Sequence, residues 1–388
     1  MISSSPRAPY VCVRCISRQT HRLYSSKAAN PSPPPASGAT KLLSRRLISI
    51  HGSEAPKFLQ GIITNNVRAD PQTAGFYGAF LTASGRVMAD VFVYPTLGSN
   101  WHRDTNKDEE QGFLVEVDSA RASDLMKHLK KHKLRSKFKL RLLENDELSV
   151  WSVWDENDRW TAHTQSSPTE ESVISLTDSR APGLGKRILL PPSSARTPGL
   201  IGDVDEAPLE AYTVRRYLRG VPEGQLEIPW DDSLPMNSNI DIMGGIDFKK
   251  GCYLGQELTI RTHHTGVVRR RIMPVQLYGI NDAVPETLEY ISDAPMNEIS
   301  AGVDIRKDDK RRKATGKLIA NVGNIGLGVC RLEQMTDLAI SSEGSSFNPD
   351  DRFLVQDCDG TDVGVKAFVP DWVRGRIRGP KTQKRVEP

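Results

Sequence analysis

Near residue 267 the character of the chain changes, and this limits the folds open to it more than any other feature. Before that point strand-like and helix-like segments mix in a β-α-β fashion, with no long parallel series. After it the pattern turns to short strands and turns. The combination predicts an α+β body followed by a separate β-rich domain. A chain of 388 residues has room for both. No run of 18 or more apolar residues offers a transmembrane helix.

Within the body, Leu47–Ile50 reads as a short strand, and Ser53 as the N-cap of a helix through Phe58 and Leu59 that Gly61 stops. Phe76–Leu81 and Val87–Tyr94 read as two strands joined by a Ser84-Gly85 turn. Residues 100–112 are polar and aperiodic, hence a loop. Phe113–Val117 is a strand, and Ser123–His132 a helix with Leu125 and Leu129 on one face. Lys133–Leu142 alternates strictly and predicts a half-buried strand with a basic outer face. Polar stretches near 156–172 and 336–351 read as surface loops, and Leu209–Leu218 as an amphipathic helix ended by Gly220 and Pro222.

The ends have their own chemistry. The first 53 residues contain no Asp or Glu, but they carry Arg7, Arg14, Arg18, Arg22, Lys27, Lys41, Arg45 and Arg46 among scattered serines. That composition predicts a mitochondrial transit peptide over 1–24, cut after Tyr24 in Arg22–Ser26. Residues 25–41, with Pro-Ser-Pro-Pro-Pro-Ala-Ser-Gly at 31–38, read as a disordered Pro-rich linker, order beginning near Leu42. Residues 374–388 read as a basic, Pro-terminated disordered tail. The formal net charge is +4, and losing 1–24 removes four arginines and no acids (4 − 4 = 0). Overall charge therefore gives no reason to expect a nucleic-acid partner.

Of five cysteines, Cys12 and Cys15 fall in the transit segment, with no second pair to complete a zinc site. Cys252, Cys330 and Cys358 are widely spaced and odd in number, which argues against a disulfide framework in a reducing compartment. Gly244–Gly266 is the most informative stretch. Gly251 and Gly255 bracket a tight turn, Gln256–His264 has helical character, and Glu257 and Arg261 stand at i,i+4 in the favourable order. Cys252 then lies just ahead of a helix N-terminus with Lys249 and Lys250 close behind it, and both effects favour the thiolate. Such a thiolate could ligate or hand over an iron–sulfur cluster, form a transient disulfide or attack an electrophile. The bland reading is a small buried cysteine packing a turn.

Lys250-Gly251-Cys252-Tyr253-Leu254-Gly255-Gln256-Glu257 resembles the signature of the YgfZ-type branch of the aminomethyltransferase (GcvT)-like, folate-binding family. Phe58–Asn65 is similar to that family's N-terminal motif and Phe80–Arg86 to its hairpin, and the helix Tyr212–Gly220 followed by Val221-Pro222 also fits. The match runs in patches from about 47 to 275 and more weakly to about 370. The resemblance implies a multi-lobed aminomethyltransferase-like body over 42–266 and a C-terminal β-barrel over 267–373. It makes Cys252 the functional thiol of a motif comprising Lys250, Gly251, Tyr253, Gly255, Gln256, Glu257 and Arg261.

With the transit peptide, the resemblance is to the mitochondrial branch, a matrix iron–sulfur cluster assembly factor. That branch works with A-type carrier proteins on 4Fe–4S clients of the aconitase and lipoate-synthase types, without steady turnover of a small molecule. Cys252 would then be a transient ligand of a 2Fe–2S or 4Fe–4S cluster shared with a partner. The alternative is a tetrahydrofolate-dependent aminomethyl or one-carbon transferase. The family's true transferases carry an acidic pair after the hairpin, where this chain has Ala89-Asp90, so Asp90 alone is left as a catalytic candidate. Their pterin-gripping acidic segment corresponds to Ser179–Arg187, which holds no acid.

Weaker signals remain. Lys127, Lys130, Lys131, Lys133, Arg135, Lys137, Lys139 and Arg141 form a basic cluster whose default reading is a solvated face. His263 and His264 point about 100° apart on a helix and cannot chelate one metal together. Gly323–Gly328 reads as turn and strand glycines rather than a dinucleotide loop, and Gly183–Lys186 lacks the first glycine of a P-loop. Cys358 marks an exposed turn and Cys330 a strand interior.

Overall fold

The computed structural model describes residues 30–67, 75–105, 111–156, 173–192, 204–294, 299–311, 313–341, 345–377 and 379. The expected transit peptide, the Cys12/Cys15 pair and most of the 156–172 loop lie outside the described residues.

Two antiparallel sheets form the body. The first has the order β3 (Phe76–Leu81), β4 (Val87–Pro95), β5 (Gly112–Asp118), β2 (Arg45–His51), β6 (Lys139–Leu142). The second runs β1 (Ser37–Lys41), β7 (Ser149–Asp155), β9 (Lys186–Leu190), β8 (Ile174–Thr177). Alternation along the first sheet sends side chains to two different cores. Ile48, Val91, Val93, Val115 and Val117 meet Phe58 and Leu59 of α1 (Ala55–Ile62) and Leu125 and Leu129 of α3 (Ala122–Lys133). Leu47, Phe92, Tyr94 and Leu114, on the other face, share a cluster with Leu148, Val150, Leu176 and Leu189 of the second sheet's side. Being covered on both faces, β4 and β5 are apolar almost throughout, and their few charged residues must lie inside.

The C-terminal unit is a closed antiparallel barrel, β10 (Arg270–Gly279), β13 (Ile325–Arg331), β12 (Ala314–Val322), β11 (Asp304–Lys307), β14 (Phe353–Gln356), β15 (Asp362–Ala367) and back to β10. The late β-rich pattern thus reports a barrel, and closure removes the open edges that so many short strands would expose. Body and barrel are joined by α4 (Leu209–Leu218), whose Val214 and Tyr217 pack on Ile272, Ile325 and Leu327. Arg271 also pairs in bidentate fashion with Asp241, at 2.8 and 2.7 Å.

Several sequence expectations need correction. The linker does not extend to residue 41: Ser37–Lys41 is β1, its Gly38 lying so close to Trp154 that a side chain there would collide at 2.8 Å. Glu54, not Ser53, precedes α1, and Gly61 sits within the helix rather than ending it. The loop at 100–112 begins with a short helix, α2 (Asn100–Thr105), where Ser99 Oγ accepts from His102 N at 3.1 Å. Of the alternating stretch 133–142 only Lys139–Leu142 is strand, because α3 continues through Lys133 and Leu134 turns the chain at φ 47°. The expected tail begins with structure rather than disorder: α6 (Asp371–Arg374) seats Val373 in the barrel core, and Arg376 Nη1 donates to Ile242 O at 2.5 Å.

Candidate functional site

Three motifs that are far apart in sequence meet at one place. Lys250 Nζ donates to the carbonyls of Gln60, Ile63 and Asn65 at 2.9, 2.7 and 2.8 Å, so its ammonium serves the open C-terminal end of α1. Leu254 N donates to Gly61 O, and Asp247 N to Thr64 O. Thr64 Oγ1 donates to Gly245 O at 2.6 Å, and Asn65 Nδ2 bridges Tyr77 O and Gly244 O. Phe58–Asn65 and Lys250–Glu257 are thereby stitched into one unit. The β3–β4 hairpin completes it at Gly255, which has φ +79°. A Cβ on Gly255 would stand 2.2 Å from Thr82 O, so only glycine fits there.

The motif residues divide in two. Lys250, Tyr253, Gly255 and Gln256 build the loop: Tyr253 is buried in the body core, and Gln256 Oε1 accepts from Tyr253 N at 3.2 Å. Burial draws the Lys250 ammonium down to about 8, the charge of Asp247 offsetting it only in part, and burial pushes the Tyr253 phenol up to about 12. Cys252, Glu257 and Arg261 stand exposed on the same stretch, and Cys252 is a free thiol. Gly251 faces open space. Cys252 lies three residues ahead of Gly255, the N-cap of α5 (Gln256–Thr265), as the spacing implies. The expected pair of supporting lysines is reduced to Lys249, because Lys250 points its charge into α1. At the far end of α5, His263 stacks on Phe248 with ring centroids 3.5 Å apart, and its ring stands nearly perpendicular to that of His264.

Asp90 sits elsewhere. It is fully buried between the sheets, where Oδ1 accepts from Gly224 N at 3.1 Å and Oδ2 lies 3.5 Å from Arg45 Nη1. Burial raises its pKa, and Arg45 only partly offsets that. Asp90 belongs to a larger ionic network. Arg45 Nε donates to Glu116 Oε1 at 2.7 Å, and Tyr94 Oη to Glu116 Oε2 at 2.5 Å. Arg187 reaches Glu116 and Glu223, donates to Tyr212 Oη at 2.5 Å, and lies over the Phe92 ring at 4.0 Å. Arg180 grips Asp178 through two bonds of 2.9 and 2.7 Å and lies 2.8 Å from Glu223. The stretch that the resemblance aligns with a pterin-gripping acid thus sends two guanidiniums inward.

Sequence reasoning missed Arg45, Glu116 and Glu223 as members of this network. The signal was there for Glu116: a lone acid in Phe-Leu-Val-Glu-Val, an otherwise apolar strand, must find cations inside.

The fold defines an aminomethyltransferase-like protein. It matches the crystal structure of glycine cleavage system aminomethyltransferase T from Bartonella henselae with a TM-score of 0.60 over 88% of this chain and 87% of that one. Sequence identity there is 14%, so the likeness is one of fold. Residues 269–375 match the family described as CAF17, C-terminal beta-barrel domain. Two curated relatives, from Coccidioides immitis and Pyricularia oryzae, are 43% and 45% identical over 97% and 96% of this chain. The matches cover 93% and 94% of those proteins, and each is named an iron–sulfur cluster assembly factor IBA57 homolog, mitochondrial. The chain belongs to the IBA57 family.

Proposed function

We propose that this chain assists the maturation of 4Fe–4S proteins in the mitochondrial matrix, with Cys252 lending its thiolate to a 2Fe–2S or 4Fe–4S cluster shared transiently with an A-type carrier protein. One observation carries the reading. Cys252 is exposed on a loop whose neighbours, Lys250, Tyr253 and Gly255, are all fixed by the body. A ligand offered to a cluster on another protein has to protrude, and it also has to be held still, since ordering a floppy loop would cost binding energy. The cluster is cargo here, and among the described residues no group of three or more His, Cys, Asp or Glu could hold a metal ion within the chain. The coordination sphere would therefore be completed by the partner.

The test is depletion of the protein, followed by assays of aconitase and lipoyl-dependent enzymes, with wild-type and Cys252→Ser rescue. Both activities should fall, and only wild type should restore them. Normal activities on depletion sink the assembly reading, and full rescue by the serine variant removes Cys252 from it. The tetrahydrofolate-dependent transferase reading has weaker support. Asp90 is fully buried, one oxygen bonded to Gly224 N and the other 3.5 Å from Arg45, and Arg180 and Arg187 stand where an acid would be needed. Heat of binding in calorimetry with tetrahydrofolate would revive it.

A further inference from the structure

We propose that the turn between α3 and β6 is a docking surface for anionic lipid bilayers. Between Leu125 and Leu143 the chain has no acid and carries eight lysines and arginines. α3 spends its apolar face on the sheet through Leu125, Met126 and Leu129, and this turns Lys127, Lys130 and Lys131 to solvent. The turn adds exposed Arg135 and Lys137, and edge strand β6 presents Lys139 and Arg141 on its outer side. The bordering acids are already engaged. Asp124 holds Lys127, Glu147 holds Arg141, and Glu54 accepts from the backbone N–H of Lys137. Lys130, Lys131, Arg135 and Lys139 have no anionic partner among the described residues.

At the apex of this patch stands Leu134, 86% exposed and held at φ 47°. A branched aliphatic side chain in left-handed backbone is rare, and here it covers nothing on the protein. The positive charge asks for an anionic surface, and the leucine asks for hydrocarbon. Nucleic acid meets only the first demand, since the patch's one phenyl ring, Phe138, is buried and its two imidazoles, His128 and His132, are packed against each other at 4.3 Å. An acidic polypeptide also leaves Leu134 in water. A bilayer with anionic headgroups meets both, each basic residue near the surface strengthening attachment roughly fivefold. The patch lies at the N-terminal end of α1, while Lys250 binds its C-terminal end, about 12 Å away for a helix of eight residues. Docking here would leave the Cys252 loop free.

Flotation of the full chain with phosphatidylcholine vesicles, with and without about one-third phosphatidylglycerol, tests this. The chain should float only with the anionic vesicles and release at high salt, about 0.5 M. Leu134→Ser, which touches no core contact, should keep its melting temperature and bind about tenfold more weakly. Lys130→Glu/Lys131→Glu/Lys139→Glu should abolish flotation. Failure to float with anionic vesicles overturns the proposal. So does wild-type binding by either variant, or capture of RNA or an acidic peptide by this patch without vesicle binding.

Discussion

The interior between the two sheets and the Cys252 loop are opposite solutions to placing reactive groups. The interior holds Arg45, Arg180 and Arg187 against Asp90, Glu116, Asp178 and Glu223, all but sealed from water, so that the groups face one another rather than a partner. The loop leaves its thiol in water and spends its other polar groups on holding that thiol's surroundings in place. Charge density alone would mark the interior as the site. Accessibility favours the loop as the proposed site, because a group can act on a partner only if the partner reaches it. The contrast predicts that interior substitutions act on stability and that loop substitutions divide by direction, those pointing inward on stability and those pointing outward on function alone.

The largest effect should come from Arg187→Met. It keeps the volume but leaves Glu116 and Glu223 buried without their shared cation, which costs about 3–5 kcal/mol. Urea denaturation measures it. A loss below about 1 kcal/mol would mean that the interior is no structural lock, and the comparison would fail on that side.

Lys250→Met should come next. It leaves three carbonyls at the end of α1 without their charged donor, for a loss of about 1–3 kcal/mol. Because the same residue positions the loop, restoration of 4Fe–4S enzyme activities in depleted cells should weaken too, without the full loss expected of Cys252→Ser. An unchanged denaturation midpoint would show that Lys250 points elsewhere in solution.

How much of this could be read from the residues depends on the kind of signal each left. The late β-rich domain, the β3–β4 hairpin and α4 were legible because periodicity and glycine punctuation are local, while closure of that domain into a barrel came from the family resemblance. The place of Cys252 in a turn ahead of a helix was legible for the same reason, but its exposure was not, since a buried turn cysteine has the same local pattern. β1 was not, since a strand starting inside a Pro-rich run is recognisable only from its partner β7. The role of Lys250 was misread as support for the thiol, because its three acceptors lie about 190 residues upstream and no spacing rule connects them. The ionic network escaped for a related reason: sequence shows that Glu116 and Arg187 are misplaced in apolar strands, but only the facing of two sheets makes them partners.

Acid sensitivity gives a third, smaller test of the interior. Burial pushes Glu223 up, but Arg187, Arg180 and Arg45 outweigh it and hold the carboxyl well below its ordinary range. At Asp178 burial is likewise outweighed, chiefly by Arg180, so that its pKa also falls. Both are protonated less readily when folded than when unfolded. Their contribution is therefore complete above about pH 5 and is lost as pH falls through the unfolded value near 4 toward the folded ones. Asp90 runs the other way, its burial-raised pKa making it a smaller liability at low pH than at neutral pH. The denaturation midpoint should drop between about pH 6 and 3, and the drop should be shallower in Arg187→Met, which removes the strongest pull on Glu223. Equal slopes in the two proteins would show that Glu223 is not governed by Arg187.

The smallest stability change should belong to the residue with the largest functional one. Cys252 is exposed, Gly251 beside it faces open space, and the hydrogen bonds that shape the loop come from Lys250, Leu254 and Gln256. Replacing one sulfur by oxygen should therefore move the unfolding free energy by less than about 0.5 kcal/mol. In a chain starting at Ser25, the cysteines left are Cys252, Cys330 and Cys358, and Cys330 is buried. Native labelling with a maleimide should accordingly fall from two thiols to one in Cys252→Ser. A stability loss above about 1 kcal/mol would make Cys252 a packing residue, and the loop would then resemble the interior it is contrasted with. A neutral substitution that still fails to restore aconitase leaves the thiol no role in the fold, so its role has to lie in what it meets outside.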